Sequence, residues 1–162
     1  MDQELVKITV ENLLKEIGFS AATTLAEKEG ILAVFIDVGG DNPLIIGFHG
    51  ETLLALQTVV NLILFRRTGT FTRVVLDVAN YRQEREEKIK QIALNAADRA
   101  RFLARSVELI PMRADERRLV HLYVSQLPGV ASESIGEGRE RRVVVKPADP
   151  EAKESGSDPA ES

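Results

Sequence analysis

The chain has 162 residues, 44% of them hydrophobic, which is enough for one ordinary domain or two small ones with real cores and too apolar for a disordered protein. Cysteine is absent, so disulfides, thiolate metal sites and cysteine nucleophiles are excluded, and a reducing compartment fits. The net charge of −4 is spread unevenly: residues 1–80 hold 6 Lys/Arg and 10 Asp/Glu, residues 81–146 hold 14 and 10, and residues 147–162 hold 1 and 5, so the basic charge sits in one segment.

The opening MDQELVKITV has no basic stretch followed by an apolar core. The most apolar run, Leu53 to Phe65, is short for a bilayer and is interrupted by Gln57, Thr58 and Asn61. A cytoplasmic protein without stable membrane insertion is expected.

Leu5, Ile8, Leu13, Leu14 and Ile17 form a helical stripe that stops at Gly18 and predicts a first helix over about 2–17. Two β-rich runs flank Glu27 to Gly30 and read as a hairpin ending before the turn-forming GGDNP. A helical turn at Pro43 to Ile46 leads into GFHG. From Glu51 the apolar positions Leu53, Leu56, Val60, Ile63 and Leu64 recur at helical spacing, with Arg66, Arg67 and Gly69 as the basic last turn and stop. Phe71, Val74, Val75, Leu76 and Val78 predict a strand. A long charged helix then starts at Tyr81, with Ile89, Ile92, Ala93, Ala96, Ala100 and Leu103 on one face, and carries the chain into a second domain.

VELIPM at 107–112 reads as a short strand. Leu119, Val120, Tyr123 and Leu127 set a core-facing stripe on a helix ending near Pro128 and Gly129, and two more strands are expected at about 130–136 and 141–146. After Pro147 the acidic sequence, rich in Pro, Ser and Ala, has no apolar face and predicts a disordered tail.

Two short motifs carry the chemistry. Gly47 and Gly50 bracket Phe48-His49 at the mouth of a strong helix. Backbone N–H groups there, backed by the helix dipole, suit a phosphate, although a glycine turn that merely redirects the chain has the same spacing. Arg117 and His121, four apart, fall within about 40° on a helical wheel and on the side away from Leu119 and Tyr123, so both should be solvent-accessible. Arginine pairs with phosphate and imidazole stacks or donates, and a plain surface helix is the alternative. Arg139, Arg141, Arg142 and Lys146 form a further basic cluster assigned to the final strand, with Arg139 and Arg141 on one face and Arg142 and Lys146 on the other, and with Ser132 and Ser134 on the neighbouring strand. No phosphate-binding loop, nucleophile elbow or paired acid/base carboxylates are present, which argues against a hydrolase.

The order of these features, through NYRQERE and PMRADERRLVHLYVSQLPGVASESIGEGRERRVVVKP, closely resembles the Jag family of bacterial RNA-binding proteins, also called SpoIIIJ-associated or KhpB proteins. The resemblance covers about 2–146. It implies an α+β protein: a type II KH domain (α-β-β-α-α-β) at 2–80, a small α/β Arg-x-x-x-His domain at 81–147 and the acidic tail at 148–162. The implied RNA-binding loop is Ile46, Gly47, Phe48, His49 and Gly50. The implied second surface is Arg113, Arg117, Arg118, His121, Arg139, Arg141 and Arg142, with no catalytic residue, metal or cofactor.

In that family the pair inside the glycine loop is usually basic, whereas Phe48-His49 stands here. The Arg117 helix usually begins Asn-Pro or Ser-Pro, whereas Arg113-Ala114 stands here, which removes a cap and adds a charge. The function implied is binding of single-stranded RNA as a chaperone or post-transcriptional regulator, tied to cell elongation and envelope homeostasis. A small KH-only protein partner or a homo-oligomer would accompany it. The alternative is an adaptor whose acidic half binds a protein and whose second domain alone touches nucleic acid.

Overall fold

The computed structural model describes residues 2–28 and 30–148. Of the expected tail only Ala148 falls within that range, where its N–H donates to Gly129 O, and 149–162 lie outside the described residues. The chain divides into two compact units, Met1–Gln83 and Glu84–Ser162.

The first unit runs α1 (Gln3–Glu16), β1 (Ala22–Lys28), β2 (Ile31–Asp37), the short α2 (Asn42–Ile46), α3 (Glu51–Thr68) and β3 (Val74–Val78). Asp2 caps α1 by accepting from the N–H groups of Glu4 and Leu5. β1 and β2 pair antiparallel from Ala22↔Asp37 to Lys28↔Ile31, and β3 lies parallel to β2, Leu32 opposite Val74 and Ile36 opposite Val78. The sheet order is β1-β2-β3. Alternation sends Leu32, Val34, Ile36, Val74, Leu76 and Val78 to one face, where Val6, Val10 and Leu14 of α1 and Leu53, Val60 and Leu64 of α3 complete the core.

The polar residues that interrupt the apolar run of α3 have a structural use. Asn61 accepts from Val74 N at 3.1 Å and donates to Val74 O at 3.0 Å, and Gln57 accepts from Leu76 N at 3.2 Å. The edge of β3 that no strand among the described residues covers is thus bonded at Val74 and Leu76 by side chains, which blunts it as a template for further pairing. α3 and the turn before it, Phe48–Thr68, form a helical stretch long and apolar enough to cross a bilayer by length and composition, longer than the run Leu53 to Phe65 suggested. Leu53, Val60 and Leu64 bury one side of it in the core of the unit, while the stretch as a whole is only 22% buried. Phe71 is not in the strand: its side chain is 72% exposed, because pairing with β2 reaches only Val74.

The second unit contains α4 (Tyr81–Leu103, which begins in the first unit), β4 (Val107–Glu108), α5 (Ala114–Ser125), β5 (Val130–Ile135) and β6 (Arg142–Pro147). β6 is central, antiparallel to both neighbours in the order β4-β6-β5. Ile89, Ala93, Ala96, Ala97 and Ala100 of α4 pack with Val120 and Val124 of α5 and with Val107, Val143 and Val145 of the sheet. Ala97 joins the expected face, and Leu103 leaves it at 39% exposure because Ala104, at φ 49°, ends the helix.

The strand expected over 107–112 is two residues long. Leu109 N donates to Val143 O and Met112 N to Arg141 O, so three steps of this segment match two of β6, and the extra residue at Ile110-Pro111 breaks regular pairing. The basic cluster is also corrected. Arg139 lies in the turn Gly138–Glu140 and Arg141 precedes β6, so neither occupies a strand face, while Arg142 and Lys146 do share one.

α5 has no Asn, Ser or Asp cap, and arginine has no acceptor with which to supply one. Glu116 compensates from inside the first turn: Oε2 accepts from Arg113 N at 3.2 Å and Oε1 from Arg85 Nε of α4 at 2.7 Å. Both side chains are largely removed from water, 16% exposed for Arg85 and 6% for Glu116. Glu116→Ala would leave the guanidinium without its counter-charge and should lower stability by about 3 kcal/mol in urea unfolding of the full chain, whereas a loss under about 1 kcal/mol would show that water replaces the pair freely.

Candidate nucleic-acid interface

Two separate places hold the residues singled out from the sequence. In the first unit Ile46 ends α2 and Gly47 follows at φ 71°. A Cβ there would collide with Thr52 Oγ1. Gly50, at φ 81°, is buried, and a Cβ would come within 2.8 Å of the Tyr81 ring. Both glycines therefore have a packing reason that requires no ligand. Between them Phe48 is exposed and His49 half-buried, their rings stacked with centroids 4.0 Å apart. Among the described residues no side chain caps α3, whose N-cap is Gly50 and whose first turn holds Glu51.

In the second unit Arg117 and His121 share a face of α5, as their spacing requires, but neither is simply solvent-accessible. Both are half-buried. Arg117 Nη1 donates to Met112 O at 2.9 Å, and Met112 N donates to Arg141 O at 3.2 Å, so one short chain of bonds links the guanidinium to the approach of β6. His121 Nδ1 lies 2.8 Å from Ser132 Oγ and Nε2 2.8 Å from Ser134 Oγ. Ser132 and Ser134 face the helices because they pair with the inward Val145 and Val143.

A neutral imidazole has one N–H and one lone pair, so one ring nitrogen donates to a serine and the other accepts from a serine. Whichever tautomer is present, the serine that accepts keeps its own O–H free to donate elsewhere. Burial pushes the His121 pKa below the ordinary imidazole value, and the positive charge of Arg117 pushes it the same way.

The remaining cations differ in availability. Arg113 turns back on Asp115, with Nε donating to Oδ1 at 3.0 Å, so the charge gained at the helix start is locally neutralised. Arg142 pairs with Glu108 at 2.9 Å, and Lys146 with Glu133 at 2.8 Å. Arg118, Arg139 and Arg141 are exposed and make no ion pair among the described residues. The sequence reading did not connect the serines to His121, although their i, i+2 spacing on a strand beside the helix was the available signal. It also passed over Glu116, whose place three residues after Arg113 is a capping signal.

His121 should therefore titrate below 6.5 in an NMR pH series, and Arg117→Ala should move its midpoint upward by removing one of the two causes. Because folding depresses this pKa, the stability gained from the neutral ring is complete above the unfolded value near 6.5 and is lost as pH falls through the lower folded value. With two hydroxyls bonded to the ring, His121→Ala should cost about 1 kcal/mol in thermal or urea unfolding rather than nothing.

Residues 87–147, which hold all of these second-unit groups, match the R-3-H domain family. The chain is similar to the RNA-binding protein KhpB of Bacillus subtilis (strain 168), with 31% identity over 141 residues, 86% of this chain and 67% of that protein. Identity is 36% over 107 residues with KhpB of Clostridium symbiosum, covering 66% of this chain and 48% of that protein. It is 36% over 137 residues with KhpB of Streptococcus pneumoniae serotype 2 (strain D39 / NCTC 7466), covering 84% and 41%. The chain thus spans about two thirds of the first relative and half or less of the other two. By its identity to the Bacillus relative over that length and its match to the R-3-H domain, the chain belongs to the KhpB family of RNA-binding proteins.

Proposed function

We propose that the chain binds single-stranded RNA, through a type II KH domain at 2–80 and an Arg-x-x-x-His domain at 81–147, and acts as an RNA chaperone or post-transcriptional regulator. The observation that carries this reading is the Arg117–His121 pair, braced on Met112 O, Ser132 and Ser134 inside the segment that matches the R-3-H domain. Bracing holds a guanidinium and a serine hydroxyl at fixed positions, so little order is left to impose when a phosphate arrives.

The element order α-β-β-α-α-β, with Gly47 to Gly50 between α2 and α3, supports the KH reading of the first unit. A KH loop of this kind clamps about four nucleotides of backbone, which requires an unpaired strand. Ile46 and the loop from Gly47 to Gly50 form one contact surface in this reading. The other is Arg117, Arg118, His121, Arg139 and Arg141, with Arg113 and Arg142 as paired, weaker contributors. Family resemblance points to a role in cell elongation and envelope homeostasis, in the cytoplasm, with a small KH-only protein as partner.

A second reading, the protein adaptor, is favoured by one feature. α3 exposes Leu54, Val59, Leu62 and Phe65 on the side away from its core, in the acidic half of the chain. Fluorescence anisotropy with labelled RNA separates the two readings. Single-stranded RNA should bind more tightly than a duplex of the same sequence, and replacing Phe48-His49 with Asp-Asp should weaken it. Equal binding of duplex overturns the KH reading, and an unchanged affinity of the double variant favours the adaptor.

Arg117→Ala should weaken binding of every RNA sequence alike. The exposed Arg118, Arg139 and Arg141 together with Arg117 would neutralise about four phosphates, so the slope of log K against log salt should be roughly −3, and about −2 after Arg117→Ala. A slope that Arg117→Ala leaves unchanged would remove this residue from the contact.

A further inference from the structure

The Phe48-His49 pair is the least expected part of the glycine loop. The two rings stack with centroids 4.0 Å apart and planes 12° from parallel, while Phe48 remains 74% exposed. His49 holds this arrangement from a left-handed backbone, φ 50° and ψ 29°, which a residue with a Cβ adopts only under constraint. The constraint is visible on both sides, in the packing of Gly47 against Thr52 and of Gly50 against Tyr81. The outer face of Phe48 is a bare aromatic surface, supported from beneath by a second ring on a fixed backbone.

Charge argues against an ionic grip at this loop. From Asn42 to Asn61 the sequence has no Lys or Arg, and Glu51 opens the helix that follows. A flat, weakly charged surface of this kind suits a planar heterocycle, and stacking on an aromatic side chain does not require a cation.

We propose that this loop takes a nucleobase of single-stranded RNA, stacked on the outer face of Phe48 to continue the His49–Phe48 pile, with the neighbouring phosphate lying along the loop backbone. The proposal rests on the KH reading of the first unit and deepens it: the loop senses bases as well as backbone. Purines, with their larger π surface, should bind better than pyrimidines. This contact should respond weakly to salt, unlike the one at Arg117.

The test uses the full chain and two labelled octamers, oligoadenosine RNA and a fully abasic ribose-phosphate chain of equal charge. Phe48→Ala should weaken oligoadenosine binding about tenfold and leave binding of the abasic chain unchanged. Phe48→Trp should restore the wild-type affinity. Because Phe48 is exposed, the fold should survive, and circular dichroism and the melting temperature check this. Equal losses on both octamers, or no loss on oligoadenosine, would overturn the proposal. In the second case the Asp-Asp variant distinguishes the causes: if it still weakens binding, the loop grips RNA by its backbone alone and the KH reading stands. If it too is silent, both fall.

Discussion

The second unit is organised around a single carboxylate. Glu116 accepts from the Arg113 N–H that opens α5 and from the Arg85 guanidinium of α4, so it fixes where the helix starts and how it is rolled against its neighbour. Arg117 is the next residue and reaches Met112 O, and His121 one turn later meets Ser132 and Ser134. A different roll of α5 would break both contacts together. Buried ion pairs recover little net stability after desolvation, so the better account of this one is geometric: it excludes alternative packings of α5.

In the first unit the corresponding constraint is the fit of backbone against side chain. Gly47 and Gly50 have no space for a Cβ, and Arg82 adds bonds from its Nε to Leu76 O and from its Nη2 to Gln57 Oε1 near the start of α4. Asp77 accepts from Val78 N and Arg82 N across the same turn. The loop holding Phe48 and His49 is therefore shaped by the core beneath it. A motif chosen for its openness to phosphate is, on its inner side, a close-packed joint, and any ligand has access only to its outer side.

Helices with sustained period were legible in the sequence, because apolar spacing such as Leu53, Leu56, Val60 and Leu64 reports burial directly. Strand limits were less so. Phe71 looked like strand on β propensity, but a strand ends where its partner ends, and β2 supplies partners only for Val74 to Val78. The same applies to 107–112, where a one-residue mismatch opposite β6 decides the outcome, and to Arg139, which a tight turn takes out of the strand. Spacing placed Arg117 and His121 on one face correctly. It carried no information about the serines and the carbonyl across from them, since those contacts belong to the tertiary fold.

Charge shows the same gap between sequence and surface. The segment 81–146 holds four more basic than acidic residues, yet Arg85, Arg101, Arg113, Arg142 and Lys146 each face a carboxylate. A paired charge presents a local dipole to an approaching polyanion, whereas an unpaired one presents its full field. In the proposed reading the attraction would concentrate at arginines such as Arg118, Arg139 and Arg141, and Arg117 would join them, its guanidinium held by the neutral carbonyl of Met112 instead of a carboxylate. That choice of partner leaves Arg117 without a carboxylate partner among the described residues while fixing its position. Inside the protein the same charge adds to burial in pushing the pKa of the neighbouring His121 downward.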